Sequence, residues 1–503
     1  LDRTVVPELL TRPGGELRAS DALRDKVAIF SDGRCMVARG SGDDVDVISV
    51  IALARRMGHK IKAPEYVDLG SLRAVYAAKG ISHWSGSRSS VHDDTIMQRE
   101  LQQLLRQAAT AGASDIHILV EDTRAAVRLR VDGELRPAPG MTGWSAEHGR
   151  QFCMTVYAMA SEGGTADSNY DPFSYQAGRI MTGLPDGVQA VRLQFNPVGY
   201  SGRHLVMRLL YASNAAGETL QDLGYDPRQV ADLDLLAGEP TGLVVIAGPT
   251  GSGKTTTLER LLHKIVAENP GSNVLSVEDP PEYQIDGVVQ LPVANLRSDE
   301  DRESCYTEAI AAALRSDPDR IMIGEVRTKA AARHTFEAAM TGHQVFTTVH
   351  ANDALAVVPR LRDIGVENFK LRDHSLVRGL VAQRLLRRLC PKCRVMAEPA
   401  TADIPADLAE RLRVLMPEEP IYLAGGGCAL CRDGYMGRTV VAEIIRPDQR
   451  LLELMVSGER QSAYDHWLGE LRGWPMSQHV LSKIRTGELD PVQVEQKLGR
   501  LRP

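Results

Sequence analysis

The stretch "GLVVIAGPTGSGKTTTLERLL", residues 242–262, decides the fold. Leu243–Ala247 is an aliphatic, partly β-branched run bounded by glycine, the pattern of a strand buried on both faces of a parallel sheet. The run breaks at Gly248, Gly251 and Gly253. Backbone angles that a Cβ forbids are open to these residues, so the loop curls with its N–H groups pointing inward. A helix beginning near Lys254 adds the positive end of its dipole to that nest. Gly248, Pro249, Thr250, Gly251, Ser252, Gly253, Lys254 and Thr255 satisfy G-x-x-x-x-G-K-[ST], and Thr256 extends the hydroxyl run into the helix. In such a loop Lys254 reaches the β- and γ-phosphates and Thr255 ligates Mg2+. A strand before and a helix after make this a nucleotide site.

The surrounding chain is that of an ordinary globular protein. Its 503 residues allow three or four domains at about 150 residues each. Hydrophobic residues make up 43% and charged residues 25%, enough for sizeable cores, and the formal net charge of −6 argues against a protein whose main task is coating nucleic acid. No apolar run approaches the roughly 18 residues of a membrane span, and the start, at Leu1 rather than Met, has no signal-peptide pattern. A cytosolic location is the expectation. Four of the seven cysteines pair up as "CPKC", 390–393, and "CALC", 428–431. In a reducing compartment such knuckles read as a metal site before they read as disulfides. The thiolates of Cys390, Cys393, Cys428 and Cys431 can close a tetrahedral Zn2+ site, with an insertion between the knuckles; the alternative is a vestigial or redox pair. Cys35, Cys153 and Cys305 read as ordinary buried residues.

Residues 1–82 alternate short helical and strand-like patterns, with "VDVISVIALARRMG" an amphipathic helix, and form an N-terminal domain without a catalytic constellation. The polar, serine-rich stretch 83–94 reads as a linker. Thr95–Ala111 has apolar residues at helical spacing and leads into alternating strand patterns at "SDIHILVEDTRAAVRLRVDGELRP", "VQAVRLQF" and "RHLVMRLL". These make residues 95–218 an α+β domain. Residues 220–242 are a helical lead-in to the Leu243 strand, and from there strand and helix alternate as in a RecA-like parallel sheet. That α/β nucleotide domain covers residues 219–503 and includes the tetracysteine module, 388–440.

Three segments downstream of the loop carry groups suited to phosphate chemistry. "NVLSVEDPPEYQI", 273–285, is a strand ending in Glu278 and Asp279, with Glu282 close behind. "LRSDPDRIMIGEVR", 314–327, has a strand at Ile321–Ile323 ending at Gly324 and Glu325. "TGHQVFTTVHANDA", 341–354, is a strand with His343 before it and His350 at its end. The carboxyl ends of strands in open α/β sheets form the ligand crevice. Of the carboxylates there, one holds the metal through its waters and another orients or deprotonates the attacking water.

The order GPTGSGKTTT, VEDPPE, IMIGEVR, TGHQVFTTVH and paired C-x-x-C resembles the secretion ATPase superfamily, whose members drive type II secretion and type IV pilus assembly. The resemblance covers roughly residues 95–450. It implies that Glu278, Asp279 and Glu282 surround the hydrolytic water, that Glu325 serves magnesium, and that His343 and His350 sense the γ-phosphate and couple it. It leaves the catalytic base open among the acidic residues. It also implies that residues 95–218 are similar to a PAS fold and lend arginines to the nucleotide site, with Arg128, Arg130, Arg192 and Arg208 in position to do so. Residues 1–82 take the place of the family's adaptor domain without clearly matching it, and Arg320 stands where a more hydrophobic residue is usual. The tetracysteine module is typical of assembly and secretion members. The implied protein is a cytoplasmic, homohexameric ATPase motor, peripherally associated with the inner membrane through a platform protein.

Rival readings are a RecA-like nucleic-acid translocase, a pilus retraction motor and a nucleotide-gated scaffold. The translocase would use the basic stretch "RGLVAQRLLRRLCPKCR", 378–394, whose charges otherwise read as a solvated helix flank beside the zinc knuckle. Lys254, Glu278 and Glu325 together argue against a scaffold that binds ATP without turning it over.

Overall fold

A computed structural model describes residues 9–12, 16–17, 21–24, 26–38, 41, 44–67, 72, 75–76, 90–162, 170–199, 202–212, 219–279, 281, 284–293, 299–397, 404–417 and 419–501. The chain divides into two compact units, Leu1–Arg99 and Glu100–Pro503.

In the first unit, strands β1 (Val27–Ile29), β2 (Cys35–Ala38) and β3 (Glu65–Val67) form a sheet in that order, the first pair antiparallel and the second parallel. The amphipathic helix is present at Val45–Arg56, opened by Asp44, whose carboxylate accepts the N–H groups of Asp46 and Val47. Val47, Val50 and Ala54, one helical face, pack with Val27, Ile29 and Val37. Of the linker expected at 83–94, residues 83–89 lie outside the described residues, and from Ser90 the chain is already helical, as far as Thr110.

The second unit contains two seven-stranded sheets. In the first, all pairings are antiparallel. Its strands are β4 (Ala113–Val120), β5 (Arg124–Val131), β6 (Glu134–Pro137), β7 (Trp144–Ser145), β8 (Gln176–Ile180), β9 (Val188–Val198) and β10 (Gly202–Tyr211), in the order β6-β5-β4-β10-β9-β8 with β7 beside β5. Strand alternation sends Ile116, Ile118, Val127, Leu129, Leu193, Phe195, Leu205 and Met207 into the core. The helix Ala146–Glu162 comes so close to this sheet that a Cβ on Gly149 would stand 2.6 Å from the Ala125 Cβ. The opposite face is polar.

The other sheet carries the nucleotide loop. Its strands are β11 (Gly242–Ala247), β12 (Val274–Glu278), β13 (Val288–Pro292), β14 (Arg320–Ile323), β15 (Gln344–Val349), β16 (Val377–Leu389) and β19 (Tyr435–Ile445); β17 (Val395–Ala397) and β18 (Ile421–Leu423) pair separately within the tetracysteine module. The order is β13-β12-β14-β15-β11-β16-β19, parallel except for the last pair. Leu243, Val245 and Ala247 enter one core, which reaches Phe336 and Trp467; Val244 and Ile246 enter the other, with Leu258, Leu262 and Phe346. Burial on both faces is why these strands read as continuous apolar runs. Arg320 fits the edge of β14 by donating from Nε to Gln344 Oε1 at 2.7 Å.

The basic stretch at 378–394 is not a helix flank. It is the long strand β16, which ends against Cys390. Its apolar residues are buried between β11 and β19, and strand pairing outweighs the helix propensity of its leucines and arginines. Each arginine has a local role. Arg378 pairs with Glu239, Arg384 donates to Asn352 O, Arg387 lies over the Tyr435 ring at 3.9 Å, and Arg388 pairs with Glu488. The insertion between the knuckles contains the helix Ala406–Leu415, whose Leu408 and Leu412 share a core with Leu386, Val441, Val480 and Ile484.

Candidate functional site

The parallel register aligns Val245, Thr347, Ile323 and Val277 across four adjacent strands. Two residues further on, the same four chains reach Ala247, Val349, Glu325 and Asp279. The loop that starts at Gly248, the acidic pair Glu278–Asp279, Glu325 and His350 therefore emerge at one level on one edge of the sheet. That edge is where the phosphate chemistry belongs.

The loop is tight because of what lies beneath it. A Cβ on Gly248 would stand 2.4 Å from Ser252 Oγ and 2.7 Å from Gln383 O. Gly253, at φ 84°, opens the helix Lys254–Glu268 with no side-chain cap. The first-turn N–H groups of a helix have no partners within it, so an uncapped start facing a crevice suits an anion. Lys254 Nζ donates to Gly248 O at 2.9 Å and Pro249 O at 3.2 Å, which folds the ammonium back over the loop. Thr255 and Thr256 follow in the first turn, both half-buried.

Glu278 is buried, and its Oε1 accepts from Ser276 Oγ at 2.7 Å and Gln290 Nε2 at 2.9 Å. Glu325 is held on Oε2, where Arg327 Nη2 donates at 2.7 Å, while Oε1 lies 3.0 Å from His350 Nε2 without a hydrogen bond of good geometry. Tyr306 closes the back of the site: its hydroxyl accepts the Glu325 N–H and donates to the Glu325 carbonyl, each at 3.1 Å. Burial first, then the negative charges of Glu325, Asp279 and Glu278, push its phenol far above the ordinary range, so it remains a donor. Hydrogen bonding to Glu325 raises Arg327.

Of the expected members, one is not placed and one does not join this group. Glu282 lies outside the described residues. His343 precedes β15, so the strand separates it from His350 by about 20 Å at roughly 3.3 Å per residue. It sits at the amino edge, its Nδ1 3.0 Å from Thr341 Oγ1 and from Ala338 O, and its carbonyl accepts the Gly242 N–H. The sequence reading missed Tyr306, Gln290 and Gln383. No local motif marks them, and only the folded register brings them to the site.

The expected arginines all lie on the polar face of the antiparallel sheet. Register sets Arg179, Arg192, Arg208, Asp115 and Arg130 side by side on five adjacent strands, with Arg128 one pair along. Arg208 Nε donates to the buried Asp115 at 2.8 Å, and Arg130 Nε stands 3.9 Å from the same carboxylate. Arg179, Arg192 and Arg208 face one another directly. Like charges in cross-strand pairs are destabilising, so a row of this kind calls for an anion. Arg179, unmarked in the sequence, is lowered by burial and then by the charge of Arg192.

The ligand atoms of Cys390, Cys393, Cys428 and Cys431 lie within 4.8 Å of one another. Three Sγ–Sγ separations are 3.3, 3.6 and 3.8 Å. Bonds of about 2.3 Å to a tetrahedral Zn2+ put sulfurs about 3.8 Å apart, so the thiols fit that ion. The knuckle backbone is packed to match, since a Cβ on Gly425 would fall on the Cys393 carbonyl.

The profile of the family "Type II/IV secretion system protein" matches residues 90–495. The chain belongs to that family. Among its relatives, the type II secretion system protein HxcR of Pseudomonas aeruginosa is 38% identical, over 79% of each chain. The type II secretion system ATPase E of Vibrio cholerae is 35% identical, over 74% of this chain and 70% of its own. A crystal structure of the pilus retraction motor PilT with bound ADP superposes with a TM-score of 0.53 over 80% of this chain and 97% of that one. At 20% identity that likeness speaks for the fold alone. In this secretion-system member no helix among the described residues is long and apolar enough to cross a membrane.

Proposed function

We propose that this chain is an ATP-hydrolysing motor of type II protein secretion, or of type IV pilus assembly, the other process served by the superfamily it resembles. The observation that carries the reading is the convergence of the glycine loop, Glu278–Asp279, Glu325 and His350 at one sheet edge. The loop N–H groups bind the phosphates. Lys254 leaves the Gly248 and Pro249 carbonyls for the β- and γ-phosphate oxygens, as the negative charge there is the stronger partner. Glu278 or Asp279, with Glu282 in the same segment, orients the attacking water and takes its proton. Thr255 and Glu325 would hold Mg2+, which supplies charge neutralisation across the β,γ-bridge. Arg327 occupies Oε2, so Oε1 is the Glu325 oxygen that would serve the metal. His350 then reports on the state of Glu325 to the loop that follows it.

The antiparallel sheet of residues 113–211 is read as the PAS-like domain and residues 1–82 as an adaptor-like domain. A homohexameric ring brings the arginine row of one subunit to an ATP site, and a platform protein tethers the ring to the inner membrane from the cytoplasm. The tetracysteine module, holding Zn2+ through its four thiolates, favours export or assembly over retraction. The translocase reading is not carried forward, because the arginines of β16 are engaged within the fold. The test is Mg2+-dependent release of phosphate from ATP by the full chain. ATP binding without any release, at every protein concentration, would overturn the motor in favour of a scaffold.

A further inference from the structure

We propose that Gln383 and Tyr225 are positioning residues for the nucleotide loop, and that they tie it to the connector preceding the ATPase sheet. The proposal rests on the ATP site described above and concerns residues that do not themselves touch nucleotide. Gln383 lies on β16 with no exposure to solvent. Its Nε2 donates to Ser252 O at 2.8 Å, and its Oε1 accepts from Tyr225 OH at 2.6 Å. The same Tyr225 oxygen is 3.1 Å from Thr257 Oγ1. A phenol has one proton. Since Gln383 Oε1 can only accept, Tyr225 gives its proton there and receives one from Thr257. The chain of donation therefore runs in one direction, from Thr257 through Tyr225 and Gln383 to the Ser252 carbonyl.

Both ends of that chain belong to the phosphate cradle. Thr257 stands in the first turn of the helix Lys254–Glu268, and Ser252 in the glycine loop. The Ser252 carbonyl fixes the plane of the Ser252–Gly253 peptide, whose N–H is one of the donors aimed at phosphate. Space is as restricted as polarity: a Cβ on Gly253 would lie 3.3 Å from Gln383 Nε2, and one on Gly248 would lie 2.7 Å from Gln383 O. β16 is thus the floor of the loop, and Gln383 is its polar contact. Burial raises the Tyr225 phenol well above its ordinary value, so the donor is present at any working pH. Tyr225 closes the turn Leu220–Tyr225, whose Leu223 carbonyl accepts from Val440 on β19. Movement of that connector, which joins the antiparallel sheet to the ATPase sheet, is therefore felt by the loop.

The experiment measures MgADP affinity and ATP turnover in full-length variants. Gln383→Leu should bind MgADP about tenfold more weakly and raise KM for ATP to match, with kcat at saturation changed less than about twofold, because it removes the hydrogen bonds of a buried chain but no group that meets phosphate. Tyr225→Phe should weaken binding about threefold, and adding it to Gln383→Leu should cost nothing more, since one chain is broken once. Val381→Ala, a buried apolar neighbour on the same strand that packs with Ile246 and Leu258, destabilises the protein and should leave MgADP affinity unchanged. Wild-type affinity in Gln383→Leu, additive losses in the double variant, or equal weakening in Val381→Ala would each overturn the proposal. If Gln383→Leu does not fold, Tyr225→Phe decides alone: affinity within error of wild type sinks the idea. A wild-type chain that binds no nucleotide would remove the ATP-site reading itself.

Discussion

Lys254 shows how far a single side chain can be judged from its surroundings. Its ammonium rests on two loop carbonyls and has no part in either core, so Lys254→Ala should leave the thermal midpoint within about 2 °C of wild type. Phosphate release should fall by at least about a hundredfold, the usual scale for losing a charge aimed at the transition state. A folded variant with near-normal turnover would remove the assignment. His479 offers a test by pH. It is buried, its Nδ1 accepts the Ala442 N–H at 3.1 Å, and burial with the nearby Lys483 charge pulls it down to about 4. The unfolded chain takes up this proton near pH 6.5 while the folded chain resists until about pH 4. Its stabilising contribution is thus complete above pH 6.5 and lost as pH falls, by about 3 kcal/mol at pH 4. In His479→Gln that share of the acid sensitivity should disappear from denaturation curves recorded between pH 7 and 4. Neither His479 nor Tyr306 was legible in the sequence, since burial creates their chemistry. Lys254, Glu278 and Glu325 were legible because a strand end announces them. His343, expected with them, stands at the opposite, amino end of its strand.

Strands and helices were easiest to read where both faces are buried. β11, β12, β14 and β15 appear in the chain as short apolar runs and fold within a residue or two of them. β16 was misread because arginine and leucine alternate in it without a clean period, and its partners β11 and β19 are remote in sequence. The tetracysteine module was half legible. Its ligands follow from spacing, whereas the helix Ala406–Leu415 between them joins a core with Val480 and Ile484. This division sets a prediction. Purified protein should hold about one Zn2+ per chain, and stripping it should release the knuckles, since structural zinc contributes on the order of 10–16 kcal/mol in peptides. Leu408 and Leu412 stay buried without metal. Hydrogen exchange after chelation should therefore rise in residues 388–397 and 424–437 and stay low in 406–415, with MgADP binding kept. Loss of protection throughout the module would show that zinc, not packing, holds the insertion.

The proposed role of the arginine row is a matter for the assembled protein. Arg192 and Arg208 oppose each other with Arg179 alongside, an arrangement that stabilises little by itself. An arginine supplied to a γ-phosphoryl group from a second domain or subunit is worth about 10³–10⁵ in rate. Arg192→Ala or Arg208→Ala should therefore cut kcat by roughly a thousandfold or more and leave nucleotide affinity within about twofold. Specific activity should rise with protein concentration if the arginines act between subunits. A fully active chain starting near residue 220 would exclude the row from the machine, and flat activity across a dilution series would count against its acting between subunits. The Asp115 pair complicates the reading in one respect. Arg208 must give up a 2.8 Å contact to reach phosphate, whereas Arg192 is not drawn on by that carboxylate.

The position of β19 has a consequence for how the protein is made. β16 is held on one side by β11, but its other edge is covered only by Tyr435–Ile445, which the ribosome delivers after both cysteine knuckles. Until then the nascent ATPase sheet ends in thirteen residues of open strand, "VRGLVAQRLLRRL", the type of edge that recruits other chains. The four arginines that read as a nucleic-acid signal stand along that edge, where charge discourages such pairing. Their first service is then to the newborn chain: Arg378 and Arg384 already have Glu239 and Asn352, whereas Tyr435 and Glu488, the partners of Arg387 and Arg388, are still to be synthesised.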